Sequence, residues 1–189
     1  MIQEKYQSLQ KLGIRIREST FDKLRRYNEL LYSEFRKEIE LYGYLCGAFG
    51  SGIIEDCFLA SHQKGNEDGV LVKPEGVREA FNLLNRPQNY VINGWFHNHP
   101  KEKILDFSQK DEQNCRVVLS IEPAILEFDD KKINYSYAIL TNSKSIGRIT
   151  VLDEEGMFHY FNSSIVKLPG GKKFRDQDLT QEIIQKLGW

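Results

Sequence analysis

Two of the chain's four histidines stand two positions apart, in Gly94-Trp95-Phe96-His97-Asn98-His99-Pro100. Tyr90 to Phe96 is an apolar run of strand type, and in an extended strand residues i and i+2 point to the same side about 7 Å apart, so two imidazoles there converge on one ion. At this composition chance would place His-x-His-Pro about 0.002 times in such a chain, which makes coincidence a poor explanation. Asp111 lies twelve residues beyond His99 and three beyond Ser108. Ser-x-x-Asp is a common helix start, with Ser as N-cap and Asp at N3, and a metal-free capping pair is its plain reading. Beside His-x-His the carboxylate becomes a third ligand. Two His and one carboxylate leave a fourth tetrahedral position open, the composition of catalytic zinc, which lowers the pKa of its water to about 7 and polarises a carbonyl. Amide hydrolysis is the natural reaction, and it needs a proton carrier that is not itself a ligand. Glu40, directly before the apolar run that starts at Leu41, is the candidate. The alternative for Glu40 is a solvated charge at a helix end.

The elements that must position these groups are legible in outline. Residues 1 to 12 are polar, a disordered lead or a short helix, and Ile14-Arg15-Ile16-Arg17 alternates as a half-exposed strand does. Ser19 or Thr20 offers an N-cap to a helix carrying Phe21, Leu24, Tyr27, Leu31 and Phe35 on one stripe. Tyr42 to Ile54 and Asp56 to Ser61 read as two strands of an antiparallel pair. Residues 62 to 73, rich in turn formers, look like an exposed, mobile excursion. Pro74 opens a short helix with Val77, Ala80, Phe81 and Leu84 inward. After the Tyr90 to Phe96 strand come a loop over 100 to 107 and a helix from Ser108 to about Leu119. Strands follow near 124 to 128, 134 to 141, 146 to 152 and 157 to 166. Leu168-Pro169-Gly170-Gly171 is a hinge-like break before a last helix with Leu179, Ile183 and Leu187 on one face and Gly188 as its stop. The mixture is α+β, with a lead at 1–12, a main domain at 13–167 and a linker plus helix at 168–189.

Composition narrows the function classes. The 189 residues are 40% hydrophobic, with 11 Phe, 9 Tyr and 2 Trp, enough for a single folded core. A formal net charge of −1 offers no electrostatic reason to expect nucleic acid or an anionic membrane as partner. The longest charge-free stretch, Leu41 to Ile54, is 14 residues and contains four glycines, too short to span a bilayer. The Met1-Ile2-Gln3-Glu4-Lys5 start lacks the apolar run of a secretory leader, so a cytoplasmic setting is expected. Cys46, Cys57 and Cys115 have neither the number nor the spacing of a disulfide framework and read as buried hydrophobes. His62 and His159 have no ligand-spaced neighbours and read as structural or surface groups.

Taken together, Glu40-x-x-Gly43-x-Leu45-Cys46-Gly47, Gly94-Trp95-Phe96-His97-x-His99-Pro100 and Ser108-x-x-Asp111 resemble the JAMM (MPN+) metalloprotease family, with the pattern running from about Ile14 to Val166. The likeness is strongest to the deubiquitinating subunit of the proteasome lid, the signalosome deneddylase and the endosomal deubiquitinases. The resemblance implies a curved, mostly antiparallel β-sheet flanked by helices with a cytidine-deaminase-like core. It implies one Zn2+ per chain on His97, His99 and Asp111, with Glu40 as general base and acid and Ser108 steadying the oxyanion. It also implies cleavage of the isopeptide bond between the C-terminal glycine of ubiquitin or a ubiquitin-like protein and a lysine. The substrate tail would lie extended along the segment before the metal strand, by strand addition, against Val70, Leu71 and Val72 and near Trp95 and Phe96.

The chain differs in having Asn98 where the family usually has Ser, and in one extra residue between His99 and Ser108; Asp106 is the alternative carboxylate. The turn at Asp129-Asp130-Lys131-Lys132 is short where eukaryotic relatives carry an insertion that helps bind ubiquitin or assemble with partners. Two further readings stand beside the isopeptidase. One is a processing peptidase for a small sulfur-carrier protein with a Gly-Gly tail. The other is a non-catalytic MPN scaffold, with a protein partner or a second copy engaged through the terminal helices.

Overall fold

A computed structural model describes residues 2–37, 39–61, 74–84, 89–99, 106–121, 124–128 and 131–188. Within them the chain runs α1 (Ile2–Leu12), β1 (Ile14–Arg17), α2 (Glu18–Ser33), β2 (Tyr42–Ala48), β3 (Ile53–Ile54), β4 (Asp56–Leu59), α3 (Pro74–Leu83) and β5 (Tyr90–Asn98). There follow α4 (Gln109–Ile121), β6 (Ala124–Phe128), β7 (Lys131–Thr141), β8 (Ser145–Leu152), β9 (Phe158–Ser163), β10 (Ile165–Leu168) and α5 (Asp176–Leu187). The α+β expectation holds. The seven-stranded sheet has the order β4-β2-β5-β7-β8-β9, with β6 alongside β7, and every pairing except the parallel β5–β7 is antiparallel. A smaller parallel sheet, β10-β1-β3, stands apart. It divides what the pattern joined: Ile53 and Ile54 leave the β2 strand, and the 157 to 166 run breaks at Ser164.

The large sheet separates two cores. On one face Leu24, Tyr27 and Leu31 of α2 and Leu179 and Ile183 of α5 pack on Leu45, Phe96 and Ile139. On the other, Val77, Ala80 and Phe81 of α3 and Cys115 and Val118 of α4 pack on Tyr42, Tyr44, Trp95 and Leu140. All three cysteines are buried and unbridged. A register shift in the β2–β5 ladder, where Leu45 faces Gly94 but Cys46 faces Ile92, inserts one residue into β5. Such a bulge reverses which face the side chains beyond it take. Ile92 and Trp95 therefore share the α4 face, and His97 continues it.

Two glycines let the strands close around that feature. A Cβ on Gly94 would sit 2.3 Å from the Tyr137 carbonyl of the neighbouring β7, and one on Gly43 would sit 2.3 Å from the Phe58 carbonyl of β4. Neither Ser19 nor Thr20 caps α2, whose N-cap is Arg17. Both hydroxyls reach distant acceptors instead, Ser19 the Gly170 carbonyl at 3.2 Å and Thr20 the Glu55 carbonyl at 2.7 Å. The glycine break is thereby tied to the start of α2, with Gly171 pressed so close to Arg17 that a Cβ would meet its side chain. Within the 1–12 segment Ile2–Leu12 is helical, with Tyr6 and Leu9 buried. No helix among the described residues is long and apolar enough to cross a membrane.

Candidate metal centre

His97 closes β5 and His99 follows it, held by an N–H donated to the Thr141 carbonyl at the end of β7 (2.7 Å). Their Nε2 atoms face each other at 2.7 Å, an arrangement in which one ring donates and the other accepts. Trp95 packs edge-on against His97, with ring centres 5.2 Å apart, and its indole N–H donates to Cys115 Sγ of α4 at 3.3 Å. The strand's aromatic spine therefore locks onto the helix that carries Asp111.

Ser108 and Asp111 form the reciprocal cap that their spacing announced. Asp111 Oδ2 accepts both the backbone N–H and the hydroxyl of Ser108, each at 2.7 Å, and the Asp111 N–H points back at Ser108 Oγ (3.4 Å). A carboxylate in the first turn also suits the positive end of the helix dipole. With Oδ2 so occupied, Oδ1 faces His97 Nε2 at 3.7 Å. The capping and ligand readings are thus compatible, one oxygen each. Ser108 itself is exposed and its hydroxyl is spent on Asp111. The oxyanion role requires that hydroxyl to turn away, leaving the Ser108 N–H to hold the carboxylate. Asp106 is exposed and accepts the neighbouring Phe107 N–H at 2.8 Å.

Glu40 reaches this end of the sheet through register. Tyr42 pairs with His97, and the Asn98 N–H continues the ladder to the Leu41 carbonyl (3.1 Å). Glu40 is the next residue out from this last ladder bond. Its side chain is 3% exposed, so it is no solvated helix-end charge. Ionised groups this deep are tolerated only with polar or charged company. His97 and Asp111 are buried to the same degree.

The donor set suits a cation in kind: two imidazole nitrogens and a carboxylate oxygen at the protected end of a strand. As the side chains stand, no three or more His, Cys, Asp or Glu residues among the described ones converge tightly enough to form a metal group. The Nε2 atoms of His97 and His99 touch at 2.7 Å, so the two rings would have to part for a cation to sit between them. His97 Nε2 and Asp111 Oδ1 stand 3.7 Å apart.

Trp95 and Phe96 are core residues, 0% and 1% exposed; Trp95 faces α4 and Phe96 stacks on Tyr27 of α2, so neither ring offers surface to a substrate. Val70, Leu71, Val72 and His62 lie outside the described residues, as does Pro100. His159 is structural, its Nε2 bonded to Asp153 at 2.6 Å, and it draws the Asp153 carboxyl below the usual carboxylate range. The β6–β7 pairing runs as far as Phe128 opposite Lys131; Asp129 and Asp130 lie outside the described residues.

Asn98 emerges as a site residue that spacing did not single out. It points away from the histidines, and its carboxamide bonds Leu41, Ile39 and Asn28. Those partners are 57 to 70 positions away in sequence, so no local signal marks them. Compared with protein-family models and with curated proteins, the chain finds no match.

Proposed function

We propose that this protein is a JAMM-type zinc metallo-isopeptidase that hydrolyses the bond between the C-terminal glycine of ubiquitin or a ubiquitin-like protein and a lysine amine. The observation that carries the reading is the meeting of His97, at the end of β5, with Asp111, at the third position of α4; buried Glu40, one residue beyond the last β2–β5 ladder bond, supports it. His97, His99 and Asp111 would hold the zinc, which when bound supplies a Lewis acid and lowers the pKa of a water toward 7. Glu40 takes a proton from the attacking water at its carboxylate and returns it to the leaving nitrogen. Ser108 fixes the Asp111 carboxylate and, once its hydroxyl is released, donates to the developing oxyanion. Burial beneath the β5 end keeps bulk water away from this proton transfer.

The short β6–β7 hairpin favours a second substrate for the same chemistry, the Gly-Gly-tailed precursor of a small sulfur-carrier protein, because it leaves no insertion there to grip ubiquitin. Zinc-loaded protein assayed against a fluorogenic ubiquitin–lysine isopeptide and against extended sulfur-carrier precursors tests both. Cleavage of either, lost by several orders of magnitude in Glu40→Gln with zinc retained, is the expected result. Stoichiometric zinc without cleavage of any Gly-Gly conjugate would leave the scaffold reading.

A further inference from the structure

We propose that Asn98 is the positioning residue of Glu40, a role that rests on the hydrolytic reading of that glutamate. Glu40 belongs to neither flanking element: α2 ends at Ser33 and β2 begins at Tyr42. The Asn98 side chain bridges this junction. Its Nδ2 donates to the Ile39 carbonyl at 3.2 Å, and its Oδ1 accepts the Leu41 N–H. The first group belongs to the peptide that enters Glu40 and the second to the peptide that leaves it. One carboxamide thus holds the two peptide planes on either side of the Glu40 Cα. The remaining Nδ2 hydrogen goes to Asn28 Oδ1 at 3.0 Å, tying the clamp to a buried residue of α2.

Only a side chain with donor and acceptor on one planar head makes this set. A serine is too short to span both peptides, and an aspartate would turn a second oxygen on two acceptors. Alternation along the strand does the rest. His97 and His99 face α4 while Asn98, between them, faces α2, so one tripeptide orients the ligands on one side of the sheet and the proton carrier's backbone on the other.

The test uses the full chain with Asn98→Ala and the milder Asn98→Ser. Amide hydrogen exchange on the metal-free protein should show Leu41 losing protection by about 100-fold or more while Tyr44 and Phe96 keep theirs. On the fluorogenic isopeptide, zinc-loaded Asn98→Ala should bind one zinc and keep KM within about threefold, but lose about 100-fold in kcat, the scale of a misplaced catalytic group. In a Glu40→Gln background, followed as single turnover, Asn98→Ala should change the residual rate less than threefold, because the residue it positions is already disabled. Unchanged Leu41 protection overturns the clamp, as does a kcat loss of equal size in both backgrounds. If wild-type protein cleaves no conjugate, the hydrolytic reading fails by itself, and the Leu41 exchange result still decides whether Asn98 holds this segment.

Discussion

At the residue scale the site divides into groups whose chemistry is visible in their spacing and groups whose role depends on distant partners. His97 and His99 are two apart on a strand, and Ser108 and Asp111 three apart at a helix start; both periods are local, so both pairs were legible. Their mutual approach and the buried setting of Glu40 were not, because a β2–β5 register and an α4–β5 packing contact decide them. Ser108→Ala separates the cap from the ligand function. It removes the hydroxyl from Asp111 Oδ2 while the Ser108 N–H bond is independent of the side chain. We expect a stability loss of about 1 kcal/mol in urea denaturation, together with zinc affinity weakened about 10- to 100-fold through loss of an outer hydrogen bond to a ligand. Unaltered zinc affinity would remove Ser108 from the support of the centre.

At the element scale, two strands and a terminal helix determine what approaches the site. Gly94→Ala would put a methyl 2.3 Å from the Tyr137 carbonyl, and neither backbone can yield without breaking the parallel β5–β7 ladder. Its zinc binding should fall with its fold, monitored by near-ultraviolet circular dichroism against metal content; a native spectrum with full zinc would contradict the packing described here.

The edge of the large sheet at β4 is closed by side chains. Leu59 N–H donates to Glu182 of α5 at 2.8 Å, and the Cys57 carbonyl accepts from Lys23. Glu182 also accepts the Tyr27 hydroxyl at 2.6 Å. The C-terminal helix therefore docks on its own domain, and a substrate tail cannot add to this stretch of edge while it stays there. Glu182→Ala should cost about 2 kcal/mol, the range for hydrogen bonds to a charged group, and should expose the Leu59 amide to exchange. An unshifted denaturation midpoint would show that α5 contributes little. The helix itself was legible from Leu179, Ile183 and Leu187. Its docking partner was not, because the decisive contacts join residues 123 and 155 positions apart.

At the scale of the whole molecule, the two cores bury five tyrosine hydroxyls and three cysteine thiols whose ionisation burial opposes. Burial pushes Tyr44 and Tyr137 up to about 12, Cys46 up to about 12 and Cys115 up to about 11. Desolvation also raises Tyr27, Tyr42, Tyr135 and Cys57. A folded pKa above the unfolded one means the folded state binds more protons in the alkaline range. Stability from these groups is then whole below about pH 9 and is lost as pH climbs toward 12, by up to about 1.4 kcal/mol per pH unit for each group in its window. The urea midpoint should fall steeply between pH 9 and 11, with the tyrosinate absorbance of these five buried tyrosines appearing only as the protein unfolds; a flat midpoint through pH 11 would contradict this burial. The aromatic content made a packed core foreseeable. The division of that core by a bulged strand was not, since a one-residue register shift leaves no trace in the hydrophobic pattern.

The central claim is a single cation held between a strand end and a helix start, and calorimetric titration of zinc into chelator-stripped protein tests it most directly. One zinc per chain is predicted, with His97→Ala and Asp111→Asn each weakening binding by about 100-fold or more. An absence of binding, or an affinity indifferent to both substitutions, would contradict the account.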